Sequence, residues 1–299
     1  MPSSDRQDLR TLRDLIRYGV SRLCETGAAL GHGSDNPWDE AVYLVLHALH
    51  LPLDTLDPFL DARVLPHERT RVLELLDRRV AERVPAAYLT GEAWLRGHRF
   101  QVDPRVIVPR SPIAELLDQG LAPWVEPANV EAALDMCTGS GCLAILAALA
   151  FPQAHVDAVD VSADALEVAR RNVADYALQD RLALRRSDLF DDLPARAYDV
   201  IVCNPPYVNS ASMADLPAEY RHEPALALAG GTDGMDLVRR ILRDAPRYLA
   251  PGGVLVLEIG HEREHFEAAF PALEPVWLET EAASDQILLL TREQLAQGQ

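Results

Sequence analysis

The sequence predicts an α/β fold, a mostly parallel sheet with helices on both faces, preceded by a small all-helical domain. Three observations predict it. Residues 1 to about 87 carry helical periodicity and no strand alternation. From about 128 to 290, short β-branched and leucine-rich runs alternate with amphipathic helical segments. That alternation builds parallel strands joined by helices. The first of these runs ends in a Gly-rich turn that opens a helix, the form of a nucleotide-binding crossover.

In the N-terminal segment, "LRTLRDLIRYGVSRL" places Leu12, Leu15, Ile16, Val20 and Leu23 on one helical face. "SDNPWDEAVYLVLHALHL" starts with cap-type residues Ser34 to Asn36, then Pro37 at a first turn. "PHERTRVLELLDRRVAERV" is a third amphipathic segment, ending before Pro85. Trp38 and the apolar positions here read as core. Residues 1–87 are therefore expected to form one helical domain. Residues 88–108 change character, with aromatic and β-branched residues punctuated by Gly91 and Gly97. They predict a hairpin, within a linker over 88–110. The sheet domain then occupies 111–299, beginning with a helix in "PRSPIAELLDQGL".

Its strands are expected at "VEAALDM", "AHVDAVDV", "RLALRR", "YDVIVCN", "GGVLVLEI", "PVWLE" and "QILLLT". Helical patterns such as "ADALEVARRNVADYAL" and "MDLVRRILRDAPRYL" separate most of them. The last two lack a helix between them and should form an antiparallel edge.

Bulk properties narrow the class. The chain has 299 residues, 48% apolar and 25% charged, ordinary for a globular protein with a sizeable core. No apolar run approaches the roughly 20 residues of a membrane helix. The N-terminus "MPSSDRQDLRTLRDL" lacks the apolar core of a signal peptide. Cys24, Cys137, Cys142 and Cys203 are scattered, which fits a reducing cytoplasm better than a disulfide framework. A net charge of −18 opposes a phosphate backbone and favours a basic partner, or serves solubility alone. No feature specifies an oligomeric state.

The first motif is "LDMCTGSGCLAI". Gly139 and Gly141 permit tight turning and close backbone approach, and Ala144 completes a G-x-G-x-x-A pattern. Asp160 ends the second strand about 20 residues on, the distance of an acid that binds ribose hydroxyls. A nucleoside cofactor follows, either NAD or S-adenosylmethionine. NAD carries a pyrophosphate suited to the helix N-terminus. Asp135, at the mouth of the turn, would oppose that anion and suit the cations of S-adenosylmethionine. In "RRSDLF", Asp188 is placed to accept an adenine amino group and Leu189 to cover the ring.

The second motif, "VIVCNPPYVNSAS", ends the fourth strand in Asn204, Pro205, Pro206 and Tyr207. Ligands of doubly wound sheets bind beyond the carboxyl ends of the strands, so this turn emerges beside the Gly-rich loop. An amide or aromatic NH2 has a delocalised lone pair and is a poor nucleophile. Two acceptors on its hydrogens orient it and draw electron density to nitrogen. Asn204 Oδ1 and the Pro205 carbonyl are those acceptors. Tyr207 offers a flat face, and the prolines hold the set rigid.

Together, "DMCTGSGCLAI" and "NPPY" closely resemble class I S-adenosylmethionine-dependent methyltransferases that modify planar NH2 groups. Within these the chain resembles the protein-(glutamine-N5) methyltransferases, over nearly its whole length. "VPRSPIAELL", "DLPAEYRHEPALAL" and "LETEAASDQILLL" are similar to the branch acting on large-subunit ribosomal protein L-three. The resemblance implies a seven-stranded sheet in the order 3-2-1-4-5-7-6 and S-adenosylmethionine as cofactor. It places the cofactor against Asp135, Cys137, Thr138, Gly139, Ser140, Gly141, Asp160, Asp188, Leu189 and Asn204. It places the substrate glutamine against Asn204, Pro205, Pro206 and Tyr207, with Asn204, Pro205 and Tyr207 catalytic. Cys137 stands where such loops commonly have Gly, so its side chain should point away or its φ be negative. Leu189 stands where release-factor enzymes often have Trp.

Other features weigh less. The histidines show no metal spacing, "HEREH" reads as a solvated helix start, and no metal is expected. Glu223 in "RHEP" reads as a loop ion pair with Arg221 or as a group near the site. Alternative functions are glutamine methylation of release factors, a nucleic-acid amino-methyltransferase, an NAD-dependent enzyme, and a non-catalytic ribosome-assembly module. The acidic surface argues against nucleic acid as direct partner and for a basic ribosomal protein.

Overall fold

The computed structural model describes residues 5–297. The chain divides into two compact units: Met1–Ala93 with Pro217–His222, and Trp94–Leu216 with Glu223–Gln299.

The first unit is helical. Helix α1 (Leu12–Thr26) starts in a capping box, Thr11 Oγ1 accepting from the Asp14 amide while the Asp14 carboxylate accepts from the Thr11 amide. Helix α2 (Pro37–Ala48) is capped by Asn36, with Pro37 in its first turn. Helix α3 (Pro66–Ala81) and the short α4 (Ala86–Thr90) follow. Leu12, Leu15, Ile16 and Leu23 of α1 pack with Leu44 and Val45 of α2 and Leu76 of α3. Trp38 departs from the expectation of a core residue and is 45% exposed. It lies in the first turn of α2, ahead of the buried positions, which begin at Glu40.

This unit also encloses charge. Arg79 Nε meets Glu40 Oε1 at 2.7 Å, and Arg79 Nη1 meets Glu219 Oε1 at 3.1 Å, all three side chains buried. Such a cluster survives only when its members are paired, because an uncompensated buried charge is costly. Glu219 thus ties the 217–222 segment into the helical unit, although that segment lies within the sheet region in sequence.

Strands β1 (Glu92–Leu95) and β2 (His98–Gln101) form the expected hairpin. Arg96 and Gly97 turn it with φ of 51° and 77°, the two positive values of a type I′ turn.

The second unit contains α5 (Ile113–Asp118), β3 (Ala132–Met136), α6 (Cys142–Ala150), β4 (His155–Asp160), α7 (Ala163–Asp175) and β5 (Leu182–Arg186). Then come β6 (Tyr198–Cys203), α8 (Ser210–Asp215), α9 (Asp236–Asp244), β7 (Leu249–Glu258), α10 (Arg263–Ala269), β8 (Val276–Leu278), β9 (Ile287–Thr291) and α11 (Arg292–Gln297). The seven-stranded sheet runs β5-β4-β3-β6-β7-β9-β8, the expected 3-2-1-4-5-7-6. Its first pairings are parallel, while β9 lies antiparallel to β7 and β8.

Side chains alternate between two cores. Ala133, Val200, Val202, Val256 and Leu289 face one, Leu134, Met136, Ile201, Leu257 and Leu288 the other. A sheet buried on both faces explains why its strands read as continuous apolar runs. The order reverses between β3 and β4 on one side and β6 on the other, and a ligand crevice opens beyond their carboxyl ends.

Candidate active site

The Gly-rich turn joins β3 to α6 and is held from three sides. Thr138 N donates to the Val159 carbonyl (2.9 Å), and Gly139 N donates to Asp160 Oδ2 (2.9 Å). Asn172 of α7, fully buried, donates to the Ser140 carbonyl (2.8 Å) and the Gln101 carbonyl (3.0 Å). Its Oδ1 accepts from Gln101 N at 2.7 Å. Nothing in the sequence pattern marked Asn172, since a polar residue on an amphipathic helix reads as solvated. Gly141 has φ 81°, and a Cβ there would fall 3.2 Å from Ala169 Cβ, so it closes the turn onto α7. Gly139 has φ 53° and open space where a Cβ would sit. The first glycine therefore leaves room for a ligand, and the second lets two elements pack.

Asp135 lies beneath the turn rather than at its mouth, 1% exposed. Its Oδ2 accepts from Thr138 Oγ1 (2.5 Å) and from Ala144 N (2.9 Å) in the first turn of α6. Among the described residues Oδ1, also buried, has no hydrogen-bond partner. Burial pushes this carboxyl up to about 7. A carboxylate already caps α6 from inside, so the helix start is a poor site for pyrophosphate and the orphan Oδ1 suits a cation. Asp160 accepts from Gly139 N and Ser162 N, one on each oxygen, both at 2.9 Å. Each oxygen keeps acceptor capacity for a hydroxyl, the arrangement a ribose diol needs. Burial raises its pKa as well. These groups fit S-adenosylmethionine and fit NAD poorly.

A cavity of about 320 Å³ opens at this edge. Cys137, Gly139, Asp160, Asp188, Leu189, Asn204 and Pro206 border it. Asp135, Thr138, Ser140 and Gly141 support the turn from behind, and Pro205 and Tyr207 stand outside the cavity lining. Cys137 corrects the expectation for it: its φ is +60° and it faces the cavity. The left-handed turn is kept although the residue is not glycine. Leu189 also has a positive φ, +54°. Asp188 shares its Oδ1 with Arg240 of α9 at 3.0 Å. Arg105, Ile107, Leu226, Leu237 and Arg240 also border the cavity. Apart from the "RHEPALAL" loop that carries Leu226, they had no sequence signal.

Asn204 follows β6 directly and is partly exposed. Among the described residues no group hydrogen-bonds its carboxamide. Pro205 and Pro206 are buried. Beyond them, Val208 N donates to the Leu228 carbonyl and Gly230 N to the Val208 carbonyl, both at 2.9 Å, pinning the turn to the 228–230 segment. The Tyr207 hydroxyl donates to Glu258 Oε1 at 3.0 Å. Glu223 does not pair with Arg221, which is exposed. Its carboxylate instead accepts from Arg110 at 2.5 and 2.8 Å and from Val108 N at 2.9 Å. Glu258 was missed, and its signal was an acid inside the apolar run "VLVLEIG".

Residues 115–219 match the family model described as the methyltransferase small domain. In fold, the chain is similar to the hMettl16 catalytic domain solved in complex with MAT2A 3'UTR hairpin 6 (TM-score 0.52, 15% identity, 77% of this chain and 84% of that one). Over the whole length it is similar to proteins named ribosomal protein uL3 glutamine methyltransferase. That of Bordetella pertussis is 80% identical, covering 99% of both chains. That of Burkholderia pseudomallei is 62% identical over 96% of each, and that of Neisseria gonorrhoeae 55% over 97% of each. Identity at this level along both units, and not only through the cofactor-type turn, means that the chain belongs to the ribosomal protein uL3 glutamine methyltransferase family.

Proposed function

We propose that this enzyme transfers a methyl group from S-adenosylmethionine to the side-chain nitrogen of a glutamine in ribosomal protein uL3. The observation that carries this is a single cavity bordered by Gly139 and Asp160 on one side and by Asn204 and Pro206 on the other. S-adenosylmethionine, when bound, supplies an electrophilic methyl on a cationic sulfur. Asp160 is the ribose acceptor, and Asp135, buried beneath the turn, favours the cationic end of the cofactor through its charge rather than by direct contact. Leu189 and Asp188 are the adenine neighbours.

Asn204 Oδ1 and the Pro205 carbonyl accept the two hydrogens of the target carboxamide and turn its nitrogen toward the methyl. Tyr207 gives the planar group a face. Positioning and aligned acceptors then supply the rate. No strong general base is assigned, because the methylated nitrogen is very acidic and sheds its proton to solvent or to those acceptors.

The helical unit serves as the substrate-recognition module. A surface of net charge −18 supports a basic protein substrate and disfavours nucleic acid as a direct partner. Four free thiols and a ribosomal substrate support a cytoplasmic location. No helix among the described residues is long and apolar enough to cross a membrane.

The test is methylation of a cell extract by the purified enzyme with labelled cofactor, followed by identification of the labelled band and residue. Label on a uL3 glutamine is expected. Label on a release factor would overturn the substrate and keep the chemistry; label on nucleic acid would overturn both.

A further inference from the structure

We propose that Glu258 is a positioning residue for methyl transfer, acting with Ser111 to hold the Tyr207 ring in place. This rests on the reading of Asn204–Tyr207 as the clamp for the target amide.

Glu258 is the last residue of β7, in a run that is otherwise apolar, and it is 4% exposed. Its hydrogen-bond partners among the described residues are two hydroxyls, and Arg110 acts on it through charge alone. Ser111 Oγ donates to Oε2 at 2.5 Å and Tyr207 Oη to Oε1 at 3.0 Å. A carboxylate buried this way opposes folding unless hydrogen bonds satisfy it. A core position next to Leu257 would accept an apolar residue at lower cost. What the carboxyl adds is a two-point connection from the segment after Arg110, through the sheet, to the tip of Tyr207.

The remainder of Tyr207 is equally constrained. A Cβ on Gly260 would fall 2.4 Å from Tyr207 Cε2 and 2.9 Å from Cζ, so the ring lies against bare backbone. A Cβ on Gly230 would fall 2.6 Å from Tyr207 Cα, and one on Gly234 2.2 Å from the Tyr207 carbonyl oxygen. Main chain and ring body are therefore fixed by glycines, and the hydroxyl end is fixed by Glu258. With its hydroxyl donating to Glu258, the ring is left to offer the substrate its face. A placement error of about 1 Å in such a constellation costs roughly a hundredfold in rate.

The test is steady-state kinetics on the protein substrate, with cofactor affinity measured by calorimetric titration of S-adenosylhomocysteine. Tyr207→Phe removes only the hydroxyl and should lower kcat/KM roughly tenfold with unchanged cofactor affinity. Glu258→Ala should lose at least as much. Glu258→Gln should recover most of it, since its amide oxygen still accepts from Tyr207 and its NH2 donates to Ser111. The Tyr207→Phe/Glu258→Ala double variant should be no worse than Glu258→Ala, the signature of one shared interaction. Should Glu258→Ala not fold, Tyr207→Phe decides alone. Wild-type kcat/KM in Tyr207→Phe, or fully multiplicative losses in the double variant, would overturn the role of Glu258. Tyr207→Ala separates this from the underlying reading: if it too retains full activity, Tyr207 is not part of the clamp at all.

Discussion

Arg110 and Glu223 form a two-point ion pair, Nη1 to Oε1 at 2.5 Å and Nη2 to Oε2 at 2.8 Å. The carboxylate is fully buried and the guanidinium about a quarter exposed. The pair joins the segment before α5 to the loop that returns from the 217–222 segment. That loop continues into Pro224, Leu226 and Ala227, which border the cavity. The interaction therefore bears on stability and on the shape of the cavity rim.

Removing the arginine strands the buried charge. Arg110→Ala is expected to cost about 3–5 kcal/mol, because the buried Glu223 carboxylate loses its two-point cation while keeping the Val108 amide. Glu223→Gln keeps that amide bond through its oxygen and should cost less. Urea unfolding midpoints at constant m-value check the order.

Asn204 and Asp160 should separate chemistry from cofactor binding. Asn204→Ala is expected to lower kcat by roughly a hundredfold or more while S-adenosylmethionine affinity changes little. Asp160→Ala removes the acceptor for Gly139 N and Ser162 N and should weaken cofactor binding far more than kcat at saturation. Wild-type turnover in Asn204→Ala would contradict the clamp mechanism.

The two glycines of the turn should fail differently. Gly139→Ala carries a left-handed φ penalty of about 1–2 kcal/mol, and its new methyl enters the cavity. Cofactor affinity should fall at least about tenfold. Gly141→Ala carries the same penalty and also presses on Ala169, so stability should fall more. Thermal melts and S-adenosylhomocysteine titrations of both variants distinguish the two effects.

Asp135 makes cofactor binding pH-dependent. Its carboxyl, pushed up to about 7 by burial, is largely protonated below that pH and ionised above it. Only the ionised form attracts a cation, so its contribution to affinity appears as pH rises through about 7. The ratio of wild-type to Asp135→Asn affinity should therefore increase between pH 6 and pH 8. For folding the sign is opposite. An ordinary aspartate ionises near 3.8 when unfolded, so the raised native value makes this residue oppose folding progressively as pH rises from about 4 to 7. Asp135→Asn should relieve that decline in the free enzyme.

The residues that were hardest to read share a physical character. Cys137 and Leu189 both occupy left-handed backbone positions at the cavity edge, which their residue types do not advertise. For Glu223 the sequence leaves open a pair with Arg221 or a place near the site, and its partner Arg110 is brought to it by the fold. Trp38 shares helical spacing with Ala41 and Val45 but sits at the start of α2, ahead of its buried positions. Asn172 and Glu258 are polar residues whose partners lie on other elements, so local pattern says nothing of them.

The sequence by itself determined the strands, their mostly parallel arrangement with an antiparallel edge, the Gly-rich turn and the Asn-Pro-Pro-Tyr strand end, while the order of the sheet was implied by the family resemblance. All but that order follow from periodicity, chain connectivity and backbone stereochemistry, all of which act over short stretches. Only the tertiary structure decided which carboxylate meets which donor: Asp135 under its turn, Glu223 with Arg110, Glu258 with Ser111 and Tyr207. Those choices depend on desolvation, because a buried charge or hydroxyl must find a partner wherever the packed chain supplies one, however far away it lies in sequence.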